Sequence, residues 1–111
     1  MRYAIVALAV LAACQSSDVS RSLGARCDRS SECDEQCLGP STEWPGGFCT
    51  TSCDTDASCS DDATCIAEGG GTACAFTCLA DSSCSFLGPG YMCKERDHHG
   101  DGGKVMVCRG G

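Results

Sequence analysis

The residues with the most chemistry in this 111-residue chain are its thirteen cysteines. A cysteine thiolate can attack an electrophile, ligate a metal or be oxidised to a disulfide. An odd count leaves one cysteine outside any complete set of pairs, and that residue needs its own explanation. The only two histidines, His98 and His99, stand side by side in the segment KERDHHGDGGK at 94–104. Beside Asp97 and Asp101 they are candidate ligands for zinc, copper or nickel, which imidazole suits. Adjacent side chains on one loop rarely converge on one ion, so a solvated loop is the preferred reading. With no other histidine to act as a base, and with every thiol expected to be consumed, a Cys–His nucleophile is excluded. The chain is expected to be non-catalytic and to carry no cofactor.

The spacing bears on two other metal chemistries. C-x3-C occurs at 33–37, 49–53 and 74–78, within the range of structural zinc pairs. An exported chain would oxidise those thiols instead, and the amino terminus argues for export. The acidic run DTDAS at 54–58, with Asp61 and Asp62 beyond it, has the start of a calcium loop. An EF-hand needs Gly at its sixth position and Glu at its twelfth, where this chain has Cys59 and Cys65, so that motif fails.

Residues 1–13, MRYAIVALAVLAA, place Arg2 before an apolar run from Ala4 to Leu11 and two small residues, the layout of a secretory signal. The run is shorter than the roughly 20 apolar residues that a membrane-spanning helix needs. Its exit, Leu11-Ala12-Ala13-Cys14, resembles the bacterial lipobox. The resemblance implies a diacylglyceryl group on the Cys14 thiol, cleavage just before it and acylation of the new amino group. Several acyl chains together hold a protein stably at a membrane. The alternative is an ordinary secretory signal with Cys14 as a disulfide half. Lipidation also resolves the parity, leaving twelve cysteines for pairing. Gln15, in place of Asp, implies outer-membrane sorting by the rule of enteric lipoproteins. Residues 14–26 are then a lipid-anchored tether, serine-rich and polar.

The remaining twelve cysteines repeat a frame. CDRSSEC (27–33), CDTDASC (53–59) and CLADSSC (78–84) share C-x5-C and start 26 and 25 residues apart. They open three modules at 27–49, 53–74 and 78–108, each with four cysteines, and each has glycine-rich sequence before its last cysteine. Glycines supply the positive φ that two-residue hairpin turns require. The third and fourth cysteines of each module are therefore expected on hairpin arms, with Ile66 and Thr72 as strand residues of the second. The C-x5-C frames are expected as tight or single helical turns in which Asp and Ser cap backbone amides. Four cysteines allow three connectivities. The favoured one is first with third and second with fourth: Cys27–Cys37, Cys33–Cys49, Cys53–Cys65, Cys59–Cys74, Cys78–Cys93 and Cys84–Cys108.

Only 11 of the 98 residues after position 13 are Leu, Ile, Val or Phe. So few large apolar side chains cannot offset the entropy of ordering the chain. Six disulfides, each closing a loop of about 15 residues and contributing roughly 3 kcal/mol, can. The expected fold is small and disulfide-rich: three tandem four-cysteine modules of short β-hairpins and irregular turns, with little helix. Phe76 and Phe86 are expected to fill module interiors. Trp44, beside Pro45, reads either as an exposed contact residue or as a cover for the first module. The net charge of −7 disfavours nucleic acid and anionic headgroups as partners. The chain looks like the cysteine-rich surface lipoproteins of Gram-negative bacteria, particularly predatory and social ones. That resemblance implies localisation and architecture: an exported chain held to the membrane, contacting an extracellular protein or glycan. The alternative is a protease inhibitor presenting a rigid loop at 38–48 or 94–107.

Overall fold

The structure is a computed structural model that describes residues 23–111. Residues 1–22, with Cys14 and the proposed signal, lie outside the described residues. Three antiparallel hairpins form, each preceded by a short 3-10 segment. The first hairpin pairs β1 (Gln36–Leu38) with β2 (Phe48–Thr50), following the turn Ser30–Glu32. The second pairs β3 (Ala63–Glu68) with β4 (Gly71–Phe76), following Asp56–Ser58. The third pairs β5 (Met92–Asp97) with β6 (Lys104–Arg109), following the longer 3-10 segment Asp81–Leu87. No α-helix occurs among the described residues.

The register explains the cross-links. Cys37 faces Cys49, Cys65 faces Cys74 and Cys93 faces Cys108, so the third and fourth cysteines of a module project from one face of its hairpin. Neither bonds to the other. Both reach the C-x5-C turn lying over that face, giving Cys27–Cys37, Cys33–Cys49, Cys53–Cys65, Cys59–Cys74, Cys78–Cys93 and Cys84–Cys108. The order is first with third and second with fourth in all three modules. In the second hairpin Gly69 (φ 52°) and Gly70 (φ 87°) form the two-residue turn, both in the left-handed region that such turns need.

The capping role expected of Asp and Ser takes a different form. The residues preceding the three 3-10 segments are Arg29, Thr55 and Ala80, and none makes a side-chain cap. The first residue of each segment instead reaches across to the hairpin. Ser30 Oγ accepts from the Cys37 N–H (3.2 Å), Asp56 Oδ1 from Cys65 (2.9 Å) and Asp81 Oδ1 from Cys93 (2.9 Å). The N–H of the third cysteine is free for this because it points away from its partner strand. A polar side chain thus reinforces each disulfide-held turn.

The opposite faces of the hairpins meet in a common core. Trp44 and Phe48 from the first module, Ile66, Ala73 and Ala75 from the second, and Leu87, Tyr91 and Val107 from the third are all buried together. Phe48 is fully buried at the centre, with ring centroids at 4.9 Å from Trp44, 6.2 Å from Phe76 and 6.4 Å from Tyr91. No module has large apolar residues enough for an interior of its own, so the three pool them.

Two expectations are corrected here. Phe86 does not fill an interior; it is 65% exposed and stands edge-on to Phe76, 5.2 Å away. In a 3-10 helix residues three apart share a face, so Cys84 and Leu87 turn inward and Phe86 is left outside. Phe76 is half-buried and borders the common core. The tether boundary also moves. Gly24 N–H donates to the Cys49 carbonyl and Cys49 N–H to Ala25, both at 2.8 Å, so residues 23–26 belong to the fold. The Arg26 guanidinium occupies the space that side chains on Gly46 and Gly88 would need, joining the first module to the third.

Candidate functional site

The links between modules converge on the end of β3. Glu68, the last residue before the Gly69–Gly70 turn, is largely buried. Its Oε2 accepts from the Trp44 indole N–H at 3.2 Å, and its Oε1 pairs with Arg96 Nη2 at 2.8 Å. Arg96 also donates to the Ala67 carbonyl at 3.0 Å. One carboxylate therefore ties the first module to the third through the second. Trp44 is only 3% exposed, and Arg109 lies 5.9 Å over its ring while pairing with Glu43 at 3.3 Å. Of the two roles considered for Trp44, the exposed contact is excluded: its ring is in the core and its N–H is satisfied.

The histidine loop forms the second junction. His98 is not a solvated side chain; it is 19% exposed. Its Nδ1 is 2.9 Å from Asp101 Oδ1, and its Nε2 is 2.9 and 3.0 Å from the two oxygens of Asp56. The backbone continues the contact, with an isolated bridge between Ile66 and His98 and a bond from the His99 N–H to the Cys65 carbonyl at 2.9 Å. Hydrogen bonds from the Cys65 amide, the His98 ring and the Thr64 hydroxyl hold the Asp56 carboxyl down at about 2. Asp101 and Asp56, each bonded to the ring, raise the pKa of His98. The loop neck is closed by an ion pair of Lys104 with Asp97.

This arrangement changes the reading of the metal candidates. Carboxylates occupy both ring nitrogens of His98 from opposite sides, and His99 contributes its backbone N–H to the junction. All twelve described cysteines are joined in disulfides, which leaves no thiolate among them. The two loops named for protease inhibition are held by backbone bonds, with residues 39–43 and 100–104 exposed. In 38–48, Trp44 N–H donates to Ser41 Oγ at 3.1 Å while the Ser41 and Gly47 N–H groups donate to the Trp44 carbonyl, folding the loop upon itself. A side chain on Gly47, which has φ 82°, would overlap the Cys27 carbonyl, so this loop is clamped against the first turn. Most of 94–107 is hairpin.

Exposed apolar groups lie elsewhere than expected. Leu79, just before the Asp81–Leu87 segment, is 98% exposed and Phe86, within it, 65%; Met106 follows at 42%. Leu79 had a sequence signal, since it takes the position that Asp28 and Asp54 hold in the other two frames. A cleft of about 150 Å³ separates the first two modules, lined by Leu23, Thr50 and Thr51 with the Cys59–Cys74 disulfide on its far side.

Hairpins stapled by buried disulfides around a minimal core define a small cysteine-rich domain of the extracellular type, as an exported chain requires. Comparison with protein families, curated proteins and solved structures returns no match.

Proposed function

We propose that the chain is a lipid-anchored, non-catalytic contact module outside the cytoplasm, held to the bacterial outer membrane through Cys14 and engaging an extracellular protein or glycan. The observation that carries this reading is the division of the cysteines. Twelve are consumed in six disulfides of a rigid scaffold. Cys14 alone is left, at the end of an apolar run where a lipobox would place it. The scaffold offers a contact face through Leu79 and Phe86, which stand out from the third module.

Intact and peptide mass spectrometry of the membrane-extracted protein tests the anchor. The expected mature chain starts at Cys14, carries acyl mass on it and contains six disulfides; a free Cys14 thiol or an amino terminus elsewhere would overturn it. A soluble 15–111 form challenges the contact role: stoichiometric inhibition of a serine or cysteine protease by it would replace contact with inhibition.

A further inference from the structure

We propose that His98 is a pH-sensitive latch, which holds the tip of the third hairpin (residues 98–103) on the second module while its ring carries two protons and frees the tip when it loses one. The inference stands on geometry. Both ring nitrogens lie within 3.0 Å of carboxylate oxygens, Asp101 on one side and Asp56 on the other. A carboxylate only accepts, and a neutral imidazole has a single N–H, so only the imidazolium can donate in both directions. Loss of one proton leaves a ring nitrogen lone pair against a carboxylate, converting an attraction into a repulsion.

The charged groups facing the ring are Asp56 from the 56–58 turn and Asp101 from the tip. Neighbouring cations are already engaged, Lys104 by Asp97 and Arg96 by Glu68. From β3 the ring's neighbourhood receives uncharged groups: the Thr64 hydroxyl and Cys65 N–H, which share the Asp56 Oδ1 acceptor, and the Cys65 carbonyl, which accepts from the His99 N–H. That bond and the single Ile66–His98 bridge are the backbone ties of the tip to the second module. Few interactions oppose release, and no residue of the tip itself forms a disulfide, although its backbone ties end on Cys65 and the core residue Ile66. Opening is therefore local, and it exposes the outer edge of β3 together with the His98–Gly103 turn. The direction follows from the raised pKa of His98: the latch is closed in mildly acidic solution, below the ordinary value of about 6.5, and opens as pH rises through the raised value.

The test is NMR on the oxidised full chain, following the His98 ring titration and exchange of the His99 amide, normalised to its intrinsic rate. His98 is expected to titrate above the ordinary value of about 6.5, and His99 protection to fall roughly threefold or more through the same range, consistent with loss of a partly exposed pair. The exposed substitution Asp101→Asn is expected to lower the His98 midpoint and to move the exchange step with it. His99→Gln is expected to leave the His98 midpoint in place. An exchange step that stays put while the His98 midpoint moves, no step at all, or titration of His98 at or below the ordinary value would each overturn the latch. Asp56→Asn gives a second arm; should it fail to fold, Asp101→Asn alone decides.

Discussion

The Trp44 indole N–H and the Glu68 carboxylate, 24 residues apart, meet at 3.2 Å where the three modules join. The Trp44 ring is buried and the Glu68 carboxylate largely so, with Arg96 on its other side. Glu68→Ala would leave an indole donor and a guanidinium without their acceptor. Removing one partner of such a network strands the others, which costs about 2 kcal/mol. Glu68→Gln keeps an acceptor for Trp44 and should cost less. Denaturant unfolding of the two variants checks both the loss and its order.

Phe48→Ala should destabilise the whole described fold, not the first module alone. The ring touches aromatic groups of all three chain segments, and truncating a fully buried Phe costs about 3–5 kcal/mol. Calorimetry should show a single transition shifted down. Two transitions, with one unmoved, would mean that the modules hold separately.

Thr50 supplies a buried hydroxyl that donates to the Cys74 carbonyl at 2.6 Å and accepts from the Cys74 N–H at 3.1 Å. Thr50→Val keeps the shape, removes the hydroxyl from the Cys74 carbonyl and leaves the Cys74 N–H with the Thr51 carbonyl alone, at a cost of about 1–3 kcal/mol. Faster exchange of the Cys74 amide in the variant is the direct reading of this loss.

Stability should pass through a maximum in mildly acidic solution. The Asp56 carboxyl falls from its usual value of 3.8 to about 2 on folding, so its contribution is present above 3.8 and is lost as pH drops towards 2. The pKa of His98 is raised, so its contribution is complete below about 6.5 and is lost as pH climbs through the raised value. Melting temperature measured from pH 2 to 9 should fall on both sides. His98→Gln should remove the alkaline decline that this residue causes.

Reduction should dissolve the fold. Loops of 10 to 24 residues are closed by the six bonds, and each contributes roughly 3 kcal/mol through the unfolded chain. Circular dichroism and proteolysis in reducing buffer should report an unfolded polypeptide; retention of a cooperative thermal transition would contradict the scaffold's dependence on its cross-links.

Much of the local architecture was legible because cysteines and glycines act at short range. The C-x5-C frames marked the turns, and Gly69-Gly70 between apolar arms marked the second hairpin. The common core was not legible. Phe48 and Ile66 stand nearly alone in their segments, Val107 shares its strand with Val105 and Met106, and no periodicity links residues that meet only through tertiary packing. Trp44 illustrates the same limit: its composition fitted surface or interior, and Glu68, the acceptor that settles the matter, is distant in sequence. Ser30, Asp56 and Asp81 were recognisable as polar residues at one place in the frame. Their targets, the third cysteine of each module, depend on the hairpin folding over the turn. His98 looked solvated because its nearest neighbours are polar, yet Asp56, 42 residues away, draws it inward.

The facing cysteines on each hairpin set a problem for biosynthesis. Cys65 and Cys74 point their backbone amides outward, to Asp56 and to Thr51, so they sit where antiparallel strands come closest. A hairpin that forms before its turn has arrived holds these two thiols beside each other and away from their true mates. The most accessible wrong bond in every module is therefore the one straight across the strands, and it shuts out both native bonds at once. Secretion of this chain should depend on an isomerase able to reopen that bond, and oxidation in its absence should accumulate compact, mispaired species.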